Sequence, residues 1–146
     1  MPSTSSNPHH RLDLRFRHYR GAEDEIAPQE THVRDLLAFG QRLDQDPKAS
    51  HLVVHCHMGV YSTASMILLL AQARPQRSAE EIAQEVVRIR PIAWPNLRII
   101  TMGDRLLGRK GELITAARGI YRRRAAKRQT MRFIRDVGRL AELEGL

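Results

Sequence analysis

Apolar and polar positions alternate first at Leu12, Leu14 and Phe16, interleaved with Asp13, Arg15 and Arg17. That period of two predicts a short half-buried strand. A polar loop is expected over residues 20–27, where Gly21 precedes an acidic run from Glu23 to Glu25. Pro28 then supplies a first helical position, and Val33, Leu36, Leu37 and Leu43 recur at helical spacing as one buried stripe ending near Asp44. Asp46, Pro47 and Ser50 mark a turn. The run His51-Leu52-Val53-Val54-His55 is apolar and β-branched enough to predict a central buried strand. Gly59 leads into Ser62, Thr63 and an apolar helix from about Ala64 to Ala73, which Pro75 closes. Ser78 with Glu81 makes a capping box for a helix carrying Ile82, Ala83, Val86 and Ile89, and Pro91 stops it. Pro95 and Asn96 introduce a helix through Ile99, Ile100 and Leu107, which Gly108 terminates. A last, increasingly basic helix follows from about Lys110. The order strand, loop, helix at its centre predicts an α/β protein in which a small parallel sheet is flanked by several helices.

The 146 residues suit one domain with one core. The expected division is a polar, Ser- and Pro-rich tail over 1–10, a folded domain over 11–121 and a basic helical extension over 122–146. No run of about 18 uninterrupted apolar residues is present, and the tail has no apolar core of a secretory signal. A soluble, cytoplasmic protein is therefore expected. Lysine and arginine exceed aspartate and glutamate by 24 to 16. The excess gathers at Arg118, Arg122, Arg123, Arg124, Lys127, Arg128, Arg132 and Arg135. That run reads as a solvated helix face. Its sharper reading, a weak contact with nucleic acid, anionic lipid or another polyanion, has little support, because few aromatic residues interleave the charges.

Cys56 is the single cysteine, so no intramolecular disulfide can form. His55, Cys56 and His57 are consecutive and point to alternate faces of an extended chain, so they do not converge on one metal ion. Neither a metal nor a cofactor is expected. The stretch His55-Cys56-His57-Met58-Gly59-Val60-Tyr61-Ser62-Thr63 lies between the predicted strand and helix. At such a junction successive backbone N–H groups can turn toward one point, reinforced by the positive end of the helix dipole. An anion fits there, and a cysteine at the first position feels the same field, which favours thiolate. Gly59 opens backbone conformations closed to other residues, and Thr63 puts a hydroxyl near the helix start. The bland alternative for Cys56 is a small buried hydrophobe.

His55-Cys56 followed by Gly59 and a hydroxyl residue resembles the His-Cys-X-X-Gly-X-X-Arg-Ser/Thr signature of the cysteine-based tyrosine and dual-specificity phosphatases. With Ser62-Thr63-Ala64-Ser65-Met66, Trp94-Pro95-Asn96 and Leu106-Leu107-Gly108-Arg109, the likeness extends to a small bacterial branch and spans roughly Leu12 to Tyr121. The resemblance implies attack by Cys56 on the phosphorus of phosphotyrosine or a related phosphomonoester, through a cysteinyl-phosphate and without a metal. It implies phosphate held by backbone amides from His57, Met58, Gly59, Val60 and Tyr61 to Ser62, a loop oriented by His55, and a hydroxyl from Thr63. A phosphorylated protein or small phosphomonoester is the implied partner, with oligomeric state left open. Trp94 and Tyr61 are expected as packing or pocket-wall residues.

Two departures qualify the likeness. The sixth residue after the family's cysteine is arginine, whose planar fork grips two phosphate oxygens; here it is Ser62, by substitution or by deletion of one loop residue. Losing two charge-assisted hydrogen bonds removes roughly 3 to 6 kcal/mol, on the order of a hundred-fold to ten-thousand-fold in rate. The family's general-acid aspartate is matched by His18 within Phe16-Arg17-His18-Tyr19, which could donate a proton near neutral pH. Asp13 and Asp24 are substitutes that their spacing does not favour. Activity is thus expected to be weakened or lost, which leaves a pseudophosphatase or phosphate-binding module as the alternative to an enzyme. Only two strands are predicted where the family implies four or more, which suggests an N-terminal truncation, a shortened product or a protomer that needs a partner.

Overall fold

A computed structural model describes residues 10–15, 27–56, 62–126 and 132, and the description below concerns these residues. They form five helices: α1 (Glu30–Gln45), α2 (Thr63–Ala73), α3 (Ala79–Ile89), α4 (Leu97–Leu107) and α5 (Glu112–Ala125). α2 lies at the centre, packed against α1, α3 and α4, and α5 closes the far side against α3 and α4.

Local chemistry explains where these helices start and stop. α1 buries Val33, Leu36, Leu37 and Phe39 on one stripe. It begins two residues after Pro28, not at it. Gln29 is the N-cap, its N–H donating to Nδ1 of His32 at 2.8 Å, while the Pro28 carbonyl accepts Nε of Arg98 at 2.6 Å and ties α4 to the entrance of α1. At α3 the capping box forms as expected: Ser78 Oγ accepts the Glu81 N–H at 3.2 Å and the Glu81 carboxylate accepts the Ser78 N–H at 2.9 Å. Asn96 Oδ1 accepts the Ile99 N–H at 3.1 Å to start α4, and Gly108 ends it in the left-handed region at φ 66°. α5 takes its cap from outside its own segment. The buried carboxylate of Asp104 accepts the N–H groups of Gly111 at 2.7 Å and Leu113 at 2.9 Å. A negative charge there matches the positive end of the helix.

The expected α/β architecture is overturned. Among the described residues there are five helices and no strand, so no parallel sheet is present. The predicted strand sequences, residues 10–15 and 51–56, carry no helix, turn or strand, and Leu12, Leu14, Val54 and Cys56 pack against the helical core. What is missing is the ladder. A strand is a pairing of two backbones about 4.8 Å apart, and apolar alternation sets only which side chains face inward. No backbone hydrogen bond joins either segment to another described segment. Leu12 and Leu14 are half-buried as the alternation predicts, but the run at 51–55, expected to be buried, leaves Leu52 48% and Val53 82% exposed, and no sheet forms among the described residues.

Close packing of α2 against α4 rests on Gly103, where a Cβ would stand 2.2 Å from Cδ2 and 2.4 Å from Cδ1 of the fully buried Leu68. Gly103→Val is expected to cost about 1–3 kcal/mol and lower Tm by roughly 3–10 °C in a calorimetric scan. An unchanged or raised Tm would contradict this packing.

Four surface carboxyls lie below their ordinary range. Glu30 is held down by Arg34 and Arg105, Asp46 by the Lys48 N–H and His10, Glu81 by the Ser78 N–H and hydroxyl, and Glu85 by Arg88 and Arg77. A depressed carboxyl contributes stability that is complete above its unfolded pKa and lost as pH falls through the folded one. Tm is therefore expected to be flat from about pH 7 to 5 and to fall on acidification below about pH 4; a Tm that holds or rises down to about pH 3 would refute this.

Candidate functional site

Residues 51–56, ending in Cys56, carry no helix or turn, and α2 begins at Thr63, so the phosphatase-like stretch of sequence leads into a helix N-terminus. Cys56 is half-buried against the hydrophobic cluster that contains Ala64, Ile67 and Leu68 of α2. His55 points its exposure to solvent at the preceding position. Ser62, the N-cap of α2, is buried with helical angles of φ −61° and ψ −12°, and its carbonyl accepts the Met66 N–H at 3.3 Å. Thr63 is fully buried. His57, Met58, Gly59, Val60 and Tyr61 lie outside the described residues, as does His18. Among the described residues no three of His, Cys, Asp and Glu lie close enough to hold a metal ion.

Several arginines that could stand in for the absent loop guanidinium are engaged elsewhere. Arg109 donates to the carbonyls of Arg77 at 2.7 Å, Ala71 at 2.8 Å and Arg74 at 3.3 Å. It places positive charge on the C-terminus of α2, the end opposite Cys56, where helix carbonyls lack partners. Arg124 donates to the carbonyls of Ala93 at 3.2 Å and Pro91 at 3.3 Å, and burial lowers its pKa from the ordinary arginine value. Arg77 pairs with Glu85 at 3.3 Å.

The second matching segment belongs to the core. Trp94 and Tyr121 are buried and stack with ring centroids 4.4 Å apart at 23°, and the Tyr121 hydroxyl donates to the Pro95 carbonyl. Trp94 is therefore a packing residue. Asn96 is fully buried beside it; its Oδ1 caps α4, and its Nδ2 has no acceptor among the described residues.

Sequence reasoning did not foresee a groove of about 340 Å³ between the end of α1, residues 49–54, α2 and the end of α3. Leu43, Leu52, Val54, Met66, Leu70 and Ile89 line it. The available signal was an excess of apolar positions: Leu43 and Ile89 end helical stripes, and Leu52 belongs to the apolar run, yet Ile89 and Leu52 remain 53% and 48% exposed. No described helix is long and apolar enough to cross a membrane.

No protein-family model and no solved structure matches the chain. A stretch of 49 residues, 34% of this chain, is 39% identical to Protein phosphatase Slingshot homolog 3 of Homo sapiens. The match covers 7% of that protein, so the likeness to a phosphatase is local.

Proposed function

We propose that this chain is a phosphatase-like module, carried by residues 11–121, whose loop from Cys56 to Thr63 receives a phosphate group and whose power to hydrolyse it is weakened or lost. The carrying observation is the order of the site: a half-buried cysteine at the end of a segment without helix or turn, a glycine-containing stretch of sequence, then the N-terminus of a helix packed against three others. A helix start offers unpaired N–H groups and a positive dipole end, which suit a tetrahedral oxyanion and lower a thiol's pKa. The 49-residue likeness to a protein phosphatase supports the same reading.

In this reading the amides of His57, Met58, Gly59, Val60, Tyr61 and Ser62 hold the phosphate oxygens and His55 orients the loop. The Cys56 sulfur attacks phosphorus as the P–O bond to the leaving group breaks, and His18 supplies the proton that the departing oxygen takes up. Water then displaces the sulfur and releases phosphate, with the hydroxyl of Thr63 beside the departing thiolate. The absent loop arginine weakens binding in the transition state more than in the ground state, so the same loop retains a phosphorylated protein or small phosphomonoester better than it cleaves one.

Turnover of a chromogenic phosphate ester by the unaltered chain is expected to be slight. Ser62→Arg or an arginine inserted after Tyr61, whichever restores the register, is expected to raise it on the order of a hundred-fold or more, and Cys56→Ala should abolish the gain. Robust turnover by the unaltered chain that Cys56→Ala abolishes would overturn the weakened reading, and no gain from either variant would count against the loop as the site.

A further inference from the structure

The segment His51-Leu52-Val53-Val54-His55 has three properties that are ordinarily kept apart. It is free of helix and turn, it is apolar, and its backbone N–H and C=O groups have no backbone partner among the described residues. Val54 packs inward on the helical core, while Val53 on the opposite face is 82% exposed and Leu52 is 48% exposed. An extended apolar stretch with unpaired backbone groups is a template for another strand.

The other segment without helix or turn, residues 10–15, shows the usual protection. Arg11 and Arg15 flank Asp13 and pair with it at 3.6 Å and 3.5 Å, so charge lies along that edge. Residues 51–55 carry no lysine, arginine, aspartate, glutamate or proline.

The order of the five residues selects the occupant. His51-Leu52-Val53-Val54-His55 reads nearly the same in both directions about Val53. Two copies paired antiparallel about a two-fold axis through Val53 would set Val53 opposite Val53, Leu52 opposite Val54, and His51 opposite His55. Every cross-strand pair then matches like with like in size and polarity, with Cβ atoms about 4.5–5.5 Å apart. Because side chains alternate, one face carries the two valines at the axis flanked by histidines, and the other carries the leucine–valine pairs. Leu52 and Val54 line the apolar groove, so that second face would continue each copy's groove into its partner's. A foreign peptide would gain the backbone hydrogen bonds but has no reason to repeat this order of side chains.

We infer that two copies of this chain associate through residues 51–55, forming an antiparallel strand pair centred on Val53 that satisfies the unpaired backbone groups and sets the two exposed Val53 side chains against each other. The pairing is isologous, so it closes at two copies. It goes beyond phosphate binding and does not depend on it, since neither Cys56 nor the loop takes part.

Sedimentation of the full chain tests it. The expected mass is twice the 16.7 kDa of one chain, and Val53→Lys, which sets two like charges at the axis, is expected to halve it while helical circular dichroism is unchanged. In a Cys56→Ser background, Val53→Cys is expected to cross-link two copies under mild oxidation, and Leu52→Cys to do so far more slowly, because only position 53 faces its own copy. A single-chain mass for the unaltered protein would overturn the proposal, whether the edge is then covered by the chain's own N-terminal residues or by nothing. A dimer that survives Val53→Lys, higher assemblies in place of a dimer, or cross-linking at Leu52 as fast as at Val53 would overturn it equally.

Discussion

Burial of α2 is the constraint on which the rest of the structure depends. Its eleven residues, Thr63–Ala73, hold no charge, and Ala64, Ile67, Leu68, Leu69 and Ala71 are buried. A helix this apolar has no face for water and must be enclosed, with each fully buried leucine or isoleucine contributing about 1.5–3 kcal/mol. α1, α3 and α4 enclose it, α4 approaching closely because Gly103 adds no side chain over Leu68. α5 completes the core through the Trp94–Tyr121 stack and the capping carboxylate of Asp104.

Enclosing α2 also fixes both of its ends. The C-terminal carbonyls are held by the Arg109 guanidinium, and the N-terminus begins at the buried pair Ser62 and Thr63. Residues 57–61 therefore lead in sequence into a helix whose position the whole core determines, and Cys56 rests on the same cluster. A rigid helix start is what an oxyanion site needs from its scaffold, since amides that are already aimed cost little to reorganise.

The sequence made the helices legible through local chemistry. Ser78 with Glu81, Asn96 and Gly108 each act within a turn of the boundary they set, so residue type and spacing were enough. Interactions between distant residues were hidden. Asp104 caps a helix that starts eight positions later, and Arg98 draws Pro28 out of the helix that a local rule would start there. The failed sheet has the same origin. Alternation at Leu12 and Leu14 does specify which side chains face the core, whereas the β-branched run at 51–55 leaves Leu52 and Val53 exposed, and a ladder needs a second backbone, which local pattern does not supply. For the candidate site, Cys56, Ser62 and Thr63 flank the approach to α2 in the sequence itself, whereas the apolar groove depends on α1, residues 49–54, α2 and Ile89 of α3 meeting.

The account centres on an anion held by the amides that lead into α2. Titrating the full chain with phosphate or tungstate while following backbone amide resonances measures this directly. Saturable shifts confined to residues 57–63 are the predicted result. Absence of any saturable shift, or shifts gathered on the arginines from Arg122 onward, would contradict it.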